Sequence, residues 1–178
     1  MVRPAAPSDA PSIARVHVES WRTTYDGLLP DDHLAALDVA DYAGRWERSL
    51  SSPFARGAVF VAEEAVGIVG FASGGPERDG DPRYEGELYA IYLLREFQGR
   101  GVGRTLVRAT AAAQAERRLT SIVVWVLRNN AGARGFYERL GGVYLRERQL
   151  DLGADGRLDV PEVAYLWADT RSTLLVPR

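Results

Sequence analysis

The chain has 178 residues, 46% hydrophobic and 26% charged, with a formal net charge of −2 and a pI near 5.8. That length suits one domain with its own core, spanning residues 1–178, and the slightly acidic balance argues against nucleic acid or an anionic membrane as partner. Cys and Lys are absent and all 22 cations are Arg, which excludes disulfides, thiolate metal sites, a Cys nucleophile, a Schiff-base lysine and the GK[ST] of a phosphate-binding loop.

The N-terminus, MVRPAAPSDAPSIARV, has no apolar stretch of signal-peptide type. No apolar run approaches the roughly 20 residues of a membrane span, so the expectation is a soluble, cytoplasmic protein. A first helix is expected over 8–24, capped by Ser8 or Asp9, with Ile13, Val16, Trp21 and Tyr25 at helical spacing. Pro30 suits the start of a second helix near 31–37, and 41–50 reads as a third. The period then changes. AVFVAE (58–63) and VGIVGFASG (66–74) are apolar and β-branched around a short polar turn, the pattern of a hairpin. GPERDGDPRYEG is a loop. ELYAIYLL (87–94) is a strand apolar on both faces, hence central. A helix over 103–117, the strand SIVVWVL (121–127) and a short helix in NAGARGFYERLGG, stopped by Gly141 and Gly142, follow. VYLRERQLDL and VPEVAYLWAD flank the turn GADGR as a terminal hairpin. This order predicts a mixed α/β fold around one sheet, without the strict alternation of a doubly wound domain.

The segment QGRGVGR, Gln98 to Arg104, stands between a strand and a helix. A helix start leaves about four orphan N–H groups and roughly half a positive charge. Gly99, Gly101 and Gly103 leave the backbone bare, and Arg100 and Arg104 add charge, so a diphosphate is the natural guest. A plain tight turn is the bland alternative. The dinucleotide fingerprint G-x-G-x-x-G fails, because its third glycine would fall on Arg104 or Leu106. That argues against a nucleotide-dependent oxidoreductase. His17 and His33, sixteen residues apart, lack the spacing of a helical metal pair, so no metal site is expected.

QGRGVG resembles the Q/R-x-x-G-x-G/A acyl-CoA motif of the GNAT N-acetyltransferase superfamily. NNAGARGFYERLGG resembles that family's N-x-x-A-x-x-F-Y-x-x-x-G signature, at Asn130, Ala133, Phe136, Tyr137 and Gly141. HVESWRTTYDGLLPDDHL is similar to the first two helices of many bacterial members. The resemblance covers nearly the whole chain; Arg95 departs from it, where many members carry Pro. It implies a GNAT-like acyl-CoA N-acyltransferase fold with splayed central strands. The cofactor is then acetyl-CoA, its pyrophosphate on the backbone of Gly99, Arg100, Gly101, Val102, Gly103, Arg104 and Thr105. Gln98 braces the loop, the amides of Leu93 and Leu94 face the pantetheine, and Asn130 bonds the arm or caps the helix that follows.

The resemblance also implies that Tyr137 protonates the leaving thiolate; packing beside Phe136 is the bland alternative. Glu87 lies eleven residues before Gln98, where the histone-acetyltransferase branch carries a strand-borne glutamate, and is the candidate base. A solvated strand-start glutamate is its alternative, and Tyr89 could relay through water. On a regular strand Glu87, Tyr89, Ile91 and Leu93 share one face. Trp21, Tyr25 and His33 are candidates for the acceptor pocket, with core packing as the alternative. Trp46, Trp125 and Trp167 are assigned to the core. The function implied is direct acetyl transfer to a primary amine of a small molecule (a polyamine, an amino acid or analogue, an amino sugar) or a peptide N-terminus. A catalytically silent acyl-CoA sensor is the alternative. The terminal hairpin offers an edge strand for a possible homodimer.

Overall fold

The computed structural model describes residues 1–53, 56–151 and 159–175. The chain opens with a short strand, β1 (Val2–Pro4), and a 3-10 turn (Pro7–Asp9) that runs into helix α1 (Ala10–Thr24). Neither expected cap works as such. Asp9 instead reaches back to accept the Ala6 N–H at 2.8 Å, and Arg3 clamps it at 2.7 Å. Helices α2 (Asp31–Ala35) and α3 (Val39–Ser51) follow, and Asp38 caps α3 by accepting from Asp41 N.

Strands β2 (Ala58–Glu64) and β3 (Gly67–Pro76) form the expected hairpin. Then come β4 (Gly86–Leu93), α4 (Val102–Glu116), β5 (Ile122–Leu127), α5 (Ala131–Arg139), β6 (Val143–Asp151), β7 (Asp159–Trp167) and a last turn, α6 (Thr170–Thr173). The GADGR turn lies outside the described residues. Strand β1 escapes periodicity because three residues carry too little pattern. Its Pro4 is tolerated at the sheet margin, where no further strand needs its N–H.

The strands make one sheet in the order β1-β2-β3-β4-β5-β7-β6. Every neighbouring pair is antiparallel except β4 and β5. Helices α1 and α3 cover one face, where Phe71 and Tyr92 meet His17. Helix α4 covers the other, and Gln114 lies over Gly74 and Gly86 so closely that a Cβ at either would collide with it. The core between these layers includes Ile13, Val16, Val61, Val69, Phe71, Leu106, Val107 and Val124. Each such side chain contributes about 1.5–3 kcal/mol relative to exposure.

The feature that matters for function is the short β4–β5 pairing. Only Gly86–Ile122, Glu87–Val123 and Leu88–Val124 are in register. Beyond Leu88 the parallel strands part. On the other side of β4, Ser73 pairs with Ala90 while Gly74 pairs with Leu88, which leaves Tyr89 as an extra residue in β4. A bulge of this kind bends its strand and raises the local twist, so β4 turns away from β5 where Tyr89 stands.

Candidate active site

The parting of β4 and β5 opens a cleft of about 590 Å³, inside the range of small-ligand sites. Its walls are β4 from Leu88 to Leu93, β5 around Trp125, the loop at Gln98–Gly101, the start of α4 and one face of α5. Tyr25, the residue just after α1, also lines it.

The bulge changes which backbone groups face this cleft. The Leu94 N–H donates to Val69 O at 2.9 Å, so Leu94 belongs to the β3–β4 ladder and its amide is not available to a ligand. This corrects the sequence reading of Leu94. Hydrogen-bonded pairs alternate along an antiparallel ladder. With Leu94 bonded across to β3, Leu93 and Ile91 turn their N–H and C=O groups to the cleft. Gln98 Nε2 donates to Leu93 O at 2.9 Å, which is the bracing expected of it. Ile91 was missed because a regular strand gives no sign of where its ladder is interrupted.

The same bulge separates residues that the sequence places on one face. A Cβ on Gly86 would meet Gln114 of α4, so Glu87 turns to the opposite face. Ile91 meets the start of α4 near Gly103, whereas Tyr92 stacks on His17 of α1 at 4.9 Å. Glu87 therefore shares its face with Tyr92, not with Ile91 and Leu93. It does not line the cleft. Its side chain is 3% exposed, and Arg78 takes both carboxylate oxygens, with Nε at 3.0 Å from Oε2 and Nη2 on Oε1. The Arg78 N–H adds a third donor at 3.3 Å. A carboxylate so committed is poorly placed to accept another proton, and solvation as a strand-start residue is equally overturned. Tyr89 lines the cleft but donates its hydroxyl to Pro76 O at 2.5 Å, under the Arg78 guanidinium.

At the loop, Gly99 and Gly101 have φ of 74° and 84°, left-handed values that L side chains avoid, and a Cβ on either would enter open space. Gly103 is different. It sits inside α4, where a Cβ would press on Phe136 at 3.3 Å, so its small size serves packing. The Thr105 N–H already donates to Gly101 O at 3.1 Å, and its hydroxyl to the same oxygen at 3.2 Å. Thr105 therefore leaves the set of free amides. Arg100, Val102, Gly103 and Arg104 remain at the helix start, and Arg104 lines the cleft. Arg100 folds over Phe97 at 5.4 Å. Arg139, which the sequence reading passed over, adds a second cation to the lining.

Asn130 Oδ1 accepts from Ala133 N at 3.1 Å, so it caps α5, and the residue also lines the cleft. Tyr137 is 5% exposed, packs edge-on to Trp167 at 6.0 Å and lines the cleft; burial raises its pKa above the usual phenol value. Burial likewise raises Tyr25 and Tyr92, whose hydroxyls lie 3.4 Å apart. Of the acceptor-pocket candidates, Tyr25 lines the cleft. Trp21 packs behind it at 5.0 Å, and His33 stands 6.2 Å beyond Trp21. Trp167 is core at 1% exposure, but Trp125 is only half-buried and forms part of the wall, a correction to its assignment. His17 accepts from Trp46 Nε1 at 3.3 Å among aromatic rings, and burial lowers its pKa to about 4.

A parted β4–β5 pair with a glycine-started helix beside the gap is the arrangement that the sequence resemblance implied. The sequence profile of the Acetyltransferase (GNAT) family matches residues 18–142, more than half of the chain. The chain belongs to this family. The N-acetyltransferase YuaI of Bacillus subtilis (strain 168), itself uncharacterised, is 38% identical over 94% of this chain and 92% of its own length. A probable N-acetyltransferase of Mycobacterium tuberculosis, Rv2775, is 27% identical over 92% and 91%. The PaiA N-acetyltransferase of Thermoplasma acidophilum, solved in complex with coenzyme A, superposes with a TM-score of 0.67 at 18% identity, covering 92% of this chain and 96% of that one. Membership makes the protein an acyltransferase, in a family whose cofactor is acetyl-CoA. Among the described residues no helix is long and apolar enough to cross a membrane.

Proposed function

We propose that the protein transfers an acetyl group from acetyl-CoA directly to the primary amine of a small molecule, or of a peptide N-terminus, bound on the α1 side of the β4–β5 cleft. The observation that carries this reading is the coincidence of two backbone features in one cleft. The Ile91 and Leu93 amides are left without strand partners, and the amides at the start of α4 stand beside the open space over Gly99 and Gly101. Backbone donors without partners are rare inside proteins, and here both sets face a volume large enough for a ligand arm. The residues fit the cofactor: Arg100 to Arg104 with Gly99 would hold its diphosphate, Ile91 and Leu93 its amide-bearing arm, and Asn130 Nδ2 remains for the same arm while Oδ1 caps α5.

Acetyl-CoA would supply an activated acetyl thioester. The rest is done by the protein. The cleft walls hold the acceptor nitrogen against the acetyl carbon, where proximity contributes most. A cleft amide, Ile91 or Leu93, donates to the carbonyl oxygen as negative charge develops on it. Tyr137, with its pKa raised, carries its proton at every working pH and gives it from Oη to the departing sulfur. The desolvation that raises the phenol disfavours a thiolate formed beside it as well, which keeps the two groups close enough in proton affinity for the proton to pass. Glu87, locked to Arg78, acts as a structural anion in this scheme, and Tyr89 shapes the wall.

The acceptor face constrains the amine. The charged residues lining the cleft are Arg104 and Arg139, and among the described residues no carboxylate lines it. A cleft that offers no carboxylate to a second ammonium favours a singly charged amine over a polyamine. Tyr25, Tyr92 and Trp125 supply apolar surface for its body. Edge strand β6, with Val143 and Tyr144 exposed, supports self-association as a homodimer, and use of acetyl-CoA agrees with a cytoplasmic location. The deciding experiment is an amine panel assayed for acetylation by mass, with coenzyme A binding measured in parallel by calorimetry. Acetylation of a monoamine supports the reading. Tight binding of coenzyme A without turnover of any amine would favour the silent sensor, and no binding would refute both.

A further inference from the structure

The scheme above lacks a proton acceptor. An alkylamine arrives as an ammonium ion and cannot attack until it loses a proton, and Glu87 is occupied. The candidate that the geometry offers instead is Glu162 on β7, 5% exposed and distant in sequence from both family motifs.

Glu162 lies directly across from Leu127 at the end of β5. Leu127 clusters with Leu29, Leu34, Trp21 and Tyr25 of the α1–α2 region. The carboxylate therefore sits on the face of the sheet to which α1 brings Tyr25, close enough that its charge helps to raise the Tyr25 pKa. Arg148, which holds Glu162 Oε1, lies over Trp125 at 3.8 Å; Trp125 lines the cleft, whereas Glu162 itself stands behind it. Tyr25 and Trp125 thus border both the cleft and the surroundings of Glu162.

The two buried glutamates of this face are held very differently. Glu87 receives three donors on its two oxygens. Glu162 receives Arg148 Nε on Oε1 at 2.5 Å, while the Nη1 of the same arginine turns to Asp79. No described residue donates to Glu162 Oε2. The charged and titratable groups around it are Arg148 on β6, Asp79 in the β3–β4 loop, Glu87 on β4 and Tyr25 just after α1. Burial is the largest influence and raises its pKa, Arg148 lowers it, and Glu87 and Asp79 raise it further; the outcome is a rise.

We propose that Glu162 is the proton acceptor for the acceptor amine, its Oε2 reached through water past Tyr25 and Trp125 at the α1 end of the cleft. The proposal rests on N-acetyl transfer in this cleft. One proton passes from the ammonium nitrogen through water to Glu162 Oε2, and the free lone pair forms the C–N bond. As the C–S bond breaks, sulfur takes the Tyr137 proton, and Tyr137 is restored by the proton that the acylated nitrogen sheds. Glu162 then returns its proton to solvent, so one proton leaves per amide formed. Acid–base assistance of this kind is worth roughly 100-fold or more.

The test uses the full chain and two readouts. The first is a ¹³C NMR titration of the Glu162 carboxyl, assigned by its absence in Glu162→Gln, with no acyl donor present. The expected midpoint lies above the ordinary carboxylate value; an ordinary or lower midpoint overturns the proposal. The second is kcat/KM against pH with 2-phenylethylamine, which reports groups of the free enzyme. Wild type should lose activity as pH falls through that same midpoint, because a protonated Glu162 cannot accept. Glu162→Gln should lose about 100-fold and the acid limb with it, while Glu162→Asp keeps the limb at reduced rate. A limb that survives in Glu162→Gln overturns the proposal. Coenzyme A affinity should be unchanged in Glu162→Gln, and its loss would mean that the residue only shapes the cleft. Failure of wild type itself to bind coenzyme A would instead sink the acetyltransferase reading, so the two failures are distinct.

Discussion

Replacing Gly101 with alanine separates the backbone role of the glycine loop from its ligand role. Gly101 stands just before α4 at φ 84° and ψ −8°. An L residue in that region costs about 1–2 kcal/mol. No steric term adds to this, because a Cβ at Gly101 meets no atom within 4 Å. At this chain length each kcal/mol shifts Tm by about 2–4 °C, so Gly101→Ala should melt roughly 2–8 °C below wild type. The open space that spares the protein is where the proposed diphosphate would lie. The added methyl should therefore displace it from the amides and weaken coenzyme A binding by about tenfold, roughly 1.4 kcal/mol. Differential scanning calorimetry reads the first quantity and titration calorimetry the second. A lowered Tm with coenzyme A affinity unchanged would refute the assignment of this loop to the diphosphate, while leaving the strain argument intact. An unchanged Tm would refute the strain argument.

Tyr137→Phe should reduce kcat by about 100-fold and leave coenzyme A affinity as it is; an equal loss in both would assign the hydroxyl to binding instead. Asn130→Ala removes the α5 cap and should cost about 1 kcal/mol of unfolding free energy in urea, with Asn130→Asp restoring it. His17 has a folded pKa of about 4 against 6.5 when unfolded. Its effect is therefore absent above pH 6.5. As pH falls from 6.5 to 4 the unfolded chain takes up the proton and the folded one does not, so up to about 3 kcal/mol of stability is lost. Denaturation in urea at pH 7 and pH 4.5 measures this, and His17→Gln, which can keep an acceptor for Trp46, should flatten the difference.

Much of the site is written locally. The Gln98–Arg104 run announces a bare backbone at a helix start, and the fold delivers it, with Gln98 on Leu93 O and two left-handed glycines. Asn130 and Tyr137 lie within one short helix and its cap, so their spacing alone brings both to the cleft. The misreadings share one cause. The extra residue at Tyr89 is defined by the pairing of β4 with β3, and no pattern within β4 reveals it. One shift of register exchanges faces. It moved Glu87 away from Leu93, exchanged Leu94 for Ile91 as a cleft amide, and parted the strands that make Trp125 a wall. Thr105 was lost for a smaller reason, since the first intrahelical bond had already taken its N–H.

Glu162 shows the complementary limit. As one acidic residue in the strand VPEVAYLWAD it carries no motif, and its partners Arg148, Asp79 and Tyr25 come from three other parts of the chain. Sequence by itself determined most of the elements, the family and the glycine-rich loop at the start of α4, because helical and strand periods, caps and glycine runs act over a few neighbouring residues. Tertiary structure alone decided which amides the strand ladders leave to the cleft, which carboxylate has both oxygens held by arginine and which has one oxygen that no described residue donates to, because hydrogen-bond partners and desolvation depend on what the folded chain brings from afar.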